Sequence, residues 1–172
     1  MMRHRLILGV DPGARTGLAL YDNRTQRVVW SGTLQPCEAL EVLRSGQHQG
    51  HHWSLVGIER LTSTGRANSD ILRAAEDSGR MYEAASRPMA PDMLQPMVVW
   101  RTRREVCRHW QVSGAGKDGQ IIDRLCEAHG LSRREAKGRK ACPGPFFGVS
   151  GDAWQALGVA VMLAESLSDE QL

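Results

Sequence analysis

The stretch that decides the fold is Leu6-Ile7-Leu8-Gly9-Val10-Asp11-Pro12-Gly13, near the start of a chain of 172 residues. Its continuous run of aliphatic and β-branched residues predicts a buried strand over residues 5–11, and Pro-Gly ends that strand. Two further short strands are predicted over residues 16–21 and 27–33, with Asp22-Asn23 as the turn between them. The start of the chain therefore predicts an antiparallel meander whose first strand ends on the carboxylate of Asp11.

The remainder of the chain alternates predicted strands and helices. Residues 53–59 form another apolar run, which ends on Glu59, and residues 98–100 are expected to form a short strand. Helices are predicted over residues 37–44, 68–85, 103–110, 120–129 and 152–167, the second with an interruption allowed at Ser78-Gly79. Residues 45–52 and 132–145 are predicted to be mostly loop. This order indicates an α/β domain in which helices cover a mixed sheet, and a single domain over residues 1–172.

Composition narrows the class of protein. Hydrophobic residues make up 41% and charged residues 24%, which is typical of a soluble globular domain. The apolar run near the start is too short for a signal peptide or a membrane span, so a cytoplasmic protein is expected. The four cysteines include no CxxC pair and their spacing to histidine does not repeat as in zinc modules, which predicts reduced thiols and no structural zinc site.

The net charge is only +3, but the basic residues are concentrated in two segments. One segment holds Arg101, Arg103, Arg104 and Arg108, and the other holds Arg133, Arg134, Lys137, Arg139 and Lys140. Charge alone is equally consistent with two solvated faces and with a surface that binds the phosphates of a nucleic acid.

Three carboxylates stand out by their positions: Asp11 and Glu59 end strands, and Asp152 opens the last helix. If the fold brings them together, their mutual repulsion must be neutralised by a cation, and oxygen ligands suit Mg²⁺ or Mn²⁺. Two such ions about 4 Å apart could activate water and stabilise the leaving oxygen of a phosphodiester. Alternatively, each acid is a turn residue or a helix cap, and Asp152 has a good N-cap position.

Four motifs in order resemble those of the RuvC-type Holliday-junction resolvases, which belong to the RNase H-like superfamily. The stretch at residues 6–13, followed by Thr16-Gly17, resembles the opening signature of that family, and Val56-Gly57-Ile58-Glu59 resembles its second strand-end acid. Residues 112–120 resemble its glycine-rich turn and following helix, and residues 151–160 resemble its last catalytic helix. The resemblance covers nearly the whole chain and implies an RNase H-like sheet of three antiparallel strands followed by parallel strands.

The resemblance also implies a function. It implies an endonuclease that cleaves phosphodiester bonds at Holliday junctions or other branched DNA with two Mg²⁺ or Mn²⁺ ions. It implies a homodimer with one active site for each of two opposite strands, and an interface near residues 71–85. Asp11, Glu59 and Asp152 would hold the ions, and Lys117 would lie near the scissile phosphate. The residues expected to contact DNA are Arg101, Arg103, Arg104, Lys117, Arg133, Arg134 and Lys140.

Two positions depart from the family pattern. The last helix of the family offers two metal-binding positions three residues apart, and the second is the neutral Gln155 here. Either Gln155 is a weak metal ligand or holds a water molecule beside Asp152, or the helix aligns in a shifted register. A preference for Mn²⁺ would follow from the lost carboxylate. Leu61 and Thr62 stand where family members carry a stacking aromatic residue. Both departures suit a phage-type relative with broad specificity for branched DNA, acting in the cytoplasm of a bacterial or infected host cell.

Other functions fit parts of the sequence. The loop after Asp11 also resembles the phosphate loop of actin-like ATPases and sugar kinases, but their second Asp-Gly loop and adenosine-binding segment are missing. A Walker loop around Lys117 is excluded because Gln111 and Asp118 replace its required glycine and hydroxyl residue. An RNA-processing protein of the YqgF kind, or a module that binds branched nucleic acid without cutting it, remains as an alternative.

Overall fold

The computed structural model describes residues 5–60, 69–87, 95–113 and 118–169. Lys117, Leu61 and Thr62 lie outside these ranges. The strands are β1 (Leu6–Asp11), β2 (Thr16–Asp22), β3 (Arg27–Leu34), β4 (Gln47–His48), β5 (His51–His52), β6 (Leu55–Arg60), β7 (Met97–Thr102), β8 (Gly138–Arg139) and β9 (Cys142–Pro143). The helices are α1 (Pro36–Ser45), α2 (Ser69–Ser86), α3 (Arg103–His109), α4 (Asp118–Ala128), α5 (Arg133–Lys137) and α6 (Ala153–Asp169).

The central sheet has five strands in the order β3-β2-β1-β6-β7. β1 pairs antiparallel with β2, and β2 pairs antiparallel with β3. β6 lies parallel to β1, and β7 lies parallel to β6. The carboxyl ends of β1, β6 and β7 therefore meet at one edge of the sheet. The predicted fold class, a mixed sheet of three antiparallel strands followed by parallel strands with helices on its faces, is confirmed.

Alternating side chains divide the core into two layers. Ile7 of β1 and Leu55 of β6 pack with α6 on one face of the sheet. Leu8 and Ile58, one position out of phase, pack with α1 and α2 on the other face. The buried apolar positions of both layers explain why these strands read as continuous hydrophobic runs rather than as alternating ones.

Glycines on β1 and β2 let α6 lie directly on the sheet. A Cβ atom at Gly9 would overlap the main-chain carbonyl of Ala156, and one at Gly17 would overlap the carbonyl of Asp152. The main chain of the first turn of α6 thus contacts the strands themselves, with no side chain between them. This contact fixes the position of Asp152 and Gln155 relative to the end of β1.

Two local expectations were wrong, and an interruption that the sequence allowed in a predicted helix does not occur. Residues 45–52 form the small β4–β5 hairpin rather than a loop. Residues 132–145 contain α5 and the β8–β9 hairpin. The helix α2 runs through Ser78-Gly79 without a break, since Gly79 faces open space and conflicts with no neighbour.

None of the helices within the described ranges is both long enough and apolar enough to cross a membrane.

Candidate active site

The two strand-end acids lie next to each other. The parallel register pairs Val10 with Ile58, which puts the following residues, Asp11 and Glu59, side by side on β1 and β6. Both acids are in phase with the side chains that face α6, so both carboxylates point toward that helix. Glu59 is only 3% exposed, whereas Asp11 is partly exposed at the edge.

The start of α6 brings the other two predicted positions to the same edge. The carbonyl of Asp152 lies against Gly17, which pairs with Asp11 across the sheet, and it accepts hydrogen bonds from the main-chain N–H groups of Gln155 and Ala156. The side chain of Asp152 is exposed, and that of Gln155 is buried at 5% exposure. The neutral Gln155 therefore faces the buried side of the site, and the acidic Asp152 faces solvent.

Arg103 connects Glu59 to Gln155. Its Nη1 donates a hydrogen bond of 2.8 Å to Oε1 of Gln155 and lies 3.5 Å from Oε2 of Glu59. The sequence suggested Arg103 only as a DNA contact. The location of Arg103 at the start of a helix could have been found from the sequence. Thr-Arg-Arg-Glu at residues 102–105 is a capping box, and it starts a helix directly after the strand beside Glu59.

The local structure holds Arg103 in place. Thr102 ends β7, caps α3 and pairs across the sheet with Arg60, one residue beyond Glu59. Both the N–H and the hydroxyl of Thr102 donate to Glu105, at 2.6 and 2.7 Å. These hydrogen bonds hold the pKa of the Glu105 carboxyl below its ordinary value. Arg103 therefore begins its helix from a fixed strand end next to the acids.

The candidate metal ligands at this edge all bind through oxygen atoms, which suits a hard divalent cation such as Mg²⁺. Within the described residues, however, no group of three or more His, Cys, Asp or Glu side chains forms a metal-binding cluster. The Arg103 guanidinium already contacts Gln155 and one oxygen of Glu59. The residues thus fit a cation between Asp11 and Glu59 better than one beside Gln155.

Two solved structures resemble the chain over nearly its whole length. The structure of Thermus thermophilus RuvC aligns with a TM-score of 0.54 and 14% identity over 95% of this chain and 96% of that one. T. thermophilus RuvC in complex with a Holliday junction substrate aligns with a TM-score of 0.55 and 16% identity over 96% of both chains. The chain has a RuvC-like fold. Neither the protein-family models nor the curated proteins give a match to the sequence.

In this RuvC-like fold the first basic segment lies beside the acids. Arg101 pairs with Glu59 across the sheet, and its Nη1 donates to the main-chain carbonyl of Trp100. Arg104 is exposed on the first turn of α3. The structure therefore brings Arg101, Arg103 and Arg104 to the edge that holds Asp11 and Glu59.

The second basic segment is divided by the structure. Arg133 forms an ion pair with Asp123 and donates to the carbonyl of Gly119, which ties α5 to the start of α4. Arg134 is exposed on α5. Arg133 is thus committed to a contact within the protein, whereas Arg134 faces solvent.

Lys140 lies at the end of the sheet away from the acids. The β8–β9 hairpin that carries Lys140 is held by Arg27, which donates to the carbonyl of Pro143 at 2.8 Å. Arg27 pairs with Asp22 at the end of β2 opposite Gly17, the residue paired with Asp11. The structure therefore does not bring Lys140 together with the strand-end acids.

Two aromatic contacts near the site were not anticipated from the sequence. The guanidinium of Arg60, next to Glu59, lies 5.8 Å from the centre of the Trp100 ring, which stacks on Tyr82 at 4.7 Å. The ammonium of Lys137 lies 5.6 Å from the ring of Trp154, which sits between Asp152 and Gln155 in sequence. The first contact joins β6 to β7, and the second joins the second basic segment to α6.

Proposed function

We propose that the protein is a metal-dependent endonuclease that cuts phosphodiester bonds at Holliday junctions or other branched DNA. The observation that carries this proposal is the pair Asp11 and Glu59, side by side at strand ends and facing the first turn of α6 in a RuvC-like fold. A buried carboxylate next to a second one needs a cation, and arginines on the same edge offer contacts for phosphate.

Asp11 and Glu59 would hold the divalent cation, Mg²⁺ or Mn²⁺, with Asp152 as a further oxygen donor at the exposed side. When bound, such an ion polarises a phosphoryl oxygen and lowers the pKa of a water molecule. The residues of the chain position the reacting groups. The helix α6 covers the acids, and Arg101 and Arg104 bind the DNA backbone. Lys117 would approach the scissile phosphate from the segment that leads into α4.

A homodimer completes the proposal. Two copies related by a two-fold axis would present one site to each of two opposite strands of a four-way junction. The solved RuvC complex with a Holliday junction shows that the fold is compatible with such a substrate in that protein.

One observation favours a second candidate function, namely binding of branched nucleic acid without cleavage. Gln155 stands at the second helix position, and its carbonyl oxygen accepts a hydrogen bond from Arg103. A site with fewer carboxylates could retain the fold and the phosphate contacts but lose metal affinity.

The test is cleavage of a labelled four-way junction with Mg²⁺ or Mn²⁺. We expect paired symmetric nicks, and we expect Asp11→Asn and Glu59→Gln to reduce the rate by about a thousandfold, since the lost cation is worth several kcal/mol. Glu127→Gln, which changes an exposed acid on α4, is the matched control and should cut normally.

Substrate competition at fixed salt separates the alternatives, because phosphate contacts alone bind every nucleic acid. Tight binding of the junction by the unmodified protein, without cutting in either metal, would establish the binding module instead. Preference for structured RNA over both junction and duplex DNA would point to RNA processing.

A further inference from the structure

A cavity of about 300 Å³ lies on the α6 face of the sheet, at the end away from the strand-end acids. Its polar lining groups come from β2, the turn after β2, the C-terminal end of α4, and α6: Tyr21, Asn23, Gln26, His129 and Glu165. Glu165 is about three turns beyond the start of α6, roughly 18 Å along the helix. The volume is at the lower end for small-molecule sites, which suits a ligand no larger than an amino acid.

The hydrogen bonds of Tyr21 and His129 fix where their protons lie. Nδ1 of His129 is 2.9 Å from the main-chain oxygen of Leu125, which can only accept, so Nδ1 carries a proton. In the neutral imidazole Nε2 then accepts from the Tyr21 hydroxyl, at 3.3 Å. The phenolic proton is thus used within the protein, and the Tyr21 oxygen lines the cavity as a hydrogen-bond acceptor.

Glu165 adds a second acceptor and a negative charge. Its Oε2 accepts from Nε2 of His109 at 2.7 Å, which holds the carboxylate in place on α6. Burial, followed by the negative charges of Glu165 and Asp22, raises the pKa of Tyr21 far above its ordinary value. The neighbouring Arg5 is paired with Asp22 rather than with Glu165. The cavity therefore disfavours an anion and favours a cation.

The turn after β2 brings two amide side chains to the same cavity. Oδ1 of Asp22 accepts from the main-chain N–H of Arg24 at 2.9 Å, which fixes the start of the turn. Gln26 ends the turn in the left-handed region, with φ at 54°. The side-chain carbonyls of Asn23 and Gln26 can each accept a further hydrogen bond from a ligand.

We propose that this cavity binds a small alkylguanidinium compound. A guanidinium carries five N–H donors in one plane and is weakly hydrated, so it suits a partly buried set of acceptors. Its charge would form a charge-assisted hydrogen bond with the Glu165 carboxylate, and the Tyr21 oxygen would accept a second one. Ala128, Val161 and Ala164 provide an apolar wall for the aliphatic part of the ligand. This site is separate from the strand-end acids, and the proposal does not depend on the nuclease function.

The first test compares two ligands of the same shape. Butylguanidine and its neutral analogue butylurea are titrated separately into the full chain at fixed salt by isothermal titration calorimetry. We expect one butylguanidine per chain with a dissociation constant of about 0.1 mM, an affinity within reach of a ligand of this size. Butylurea should bind at least about tenfold more weakly, because it lacks the charge.

The second test changes the acceptors. Glu165→Gln keeps an oxygen for His109 but removes the charge, and it should weaken butylguanidine binding by about tenfold or more. Tyr21→Phe removes only the phenolic oxygen and should weaken binding by about fivefold. Glu83→Gln, which changes an exposed acid on α2 paired with Arg87, is the matched control and should bind normally. Thermal unfolding checks that each variant is folded, and Glu165→Gln decides the test if Tyr21→Phe is not.

Three results would overturn the proposal. One is no saturable binding of butylguanidine by the unmodified protein, and another is equal binding of butylurea. The third is binding that persists in Glu165→Gln but is lost in Asp11→Asn, which would place the cation at the strand-end acids. Junction cleavage is measured separately, so none of these results would count against the proposed nuclease function.

Discussion

Single glycines set the distance between α6 and the acids. A Cβ atom at Gly9 would overlap the carbonyl of Ala156, so Gly9→Ala must push the first turn of α6 away from β1. We expect a loss of about 3 kcal/mol in the free energy of unfolding, at the upper end for overpacking because a main-chain atom cannot rotate aside. Urea denaturation measures this loss, and junction cleavage should fall with it.

The control for this substitution is Gly79→Ala. Gly79 lies within α2 and has no neighbour within its own chain, so alanine there should stabilise the monomer by about 1 kcal/mol through its higher helix propensity. Equal effects at the two glycines would contradict the view that Gly9 is required by close packing.

Residues whose place follows from the end of an element could be predicted from the sequence. Asp11 and Glu59 were identified because an apolar run stops at each of them, and the structure places them side by side. The partnership of Arg103 with Gln155 could not be predicted, because 52 positions separate the two residues and the contact depends on how α3 and α6 meet. Charge clustering alone suggested only a DNA contact for this arginine.

Among the elements, α5 gives the sharpest test of the second basic segment. Arg134 is exposed on α5, so Arg134→Ala should weaken junction binding several-fold and reduce the slope of log affinity against log salt by about one. Arg24→Ala is the matched control, since Arg24 is exposed in the turn after β2, at the end of the sheet away from Asp11. Binding titrations at several salt concentrations measure both.

If Arg134→Ala left the slope of log affinity against log salt unchanged, Arg134 on α5 would not contact the DNA. Arg133→Ala is the less informative variant, because Arg133 also ties α5 to Asp123 and Gly119 and its loss would loosen that contact.

The long helix α6 and the shorter capped helices α1 and α3 were predicted, whereas the capped helix α5 was not. A helix was predicted over residues 152–167, after Gly151, and the structure confirms it as α6. The helix α5 has only five residues, too few for a periodic pattern, and the basic composition of its segment indicated a loop. Its start was nevertheless encoded, because Ser132 and Glu135 form a capping box.

For the whole molecule, the proposed dimer has a candidate surface on α2. Leu72 is 61% exposed, the highest value among the exposed large hydrophobic residues of the described ranges. It lies on the helix that the resemblance assigns to the interface. In a two-fold dimer each such residue is buried twice, and each burial stabilises the interface by roughly 1.5–3 kcal/mol.

Leu72→Glu should therefore raise the dimer dissociation constant by about a hundredfold or more. Light scattering coupled to size exclusion at micromolar concentration should show a dimer for the unmodified protein and a monomer for this variant. Phe147→Glu changes another exposed apolar residue, 45% exposed and far from α2 in sequence, and should stay dimeric. Because one dimer is proposed to cut two strands, the monomeric variant should give single nicks where the dimer gives paired ones. A monomeric unmodified protein that still makes paired nicks would separate junction resolution from dimer formation through α2.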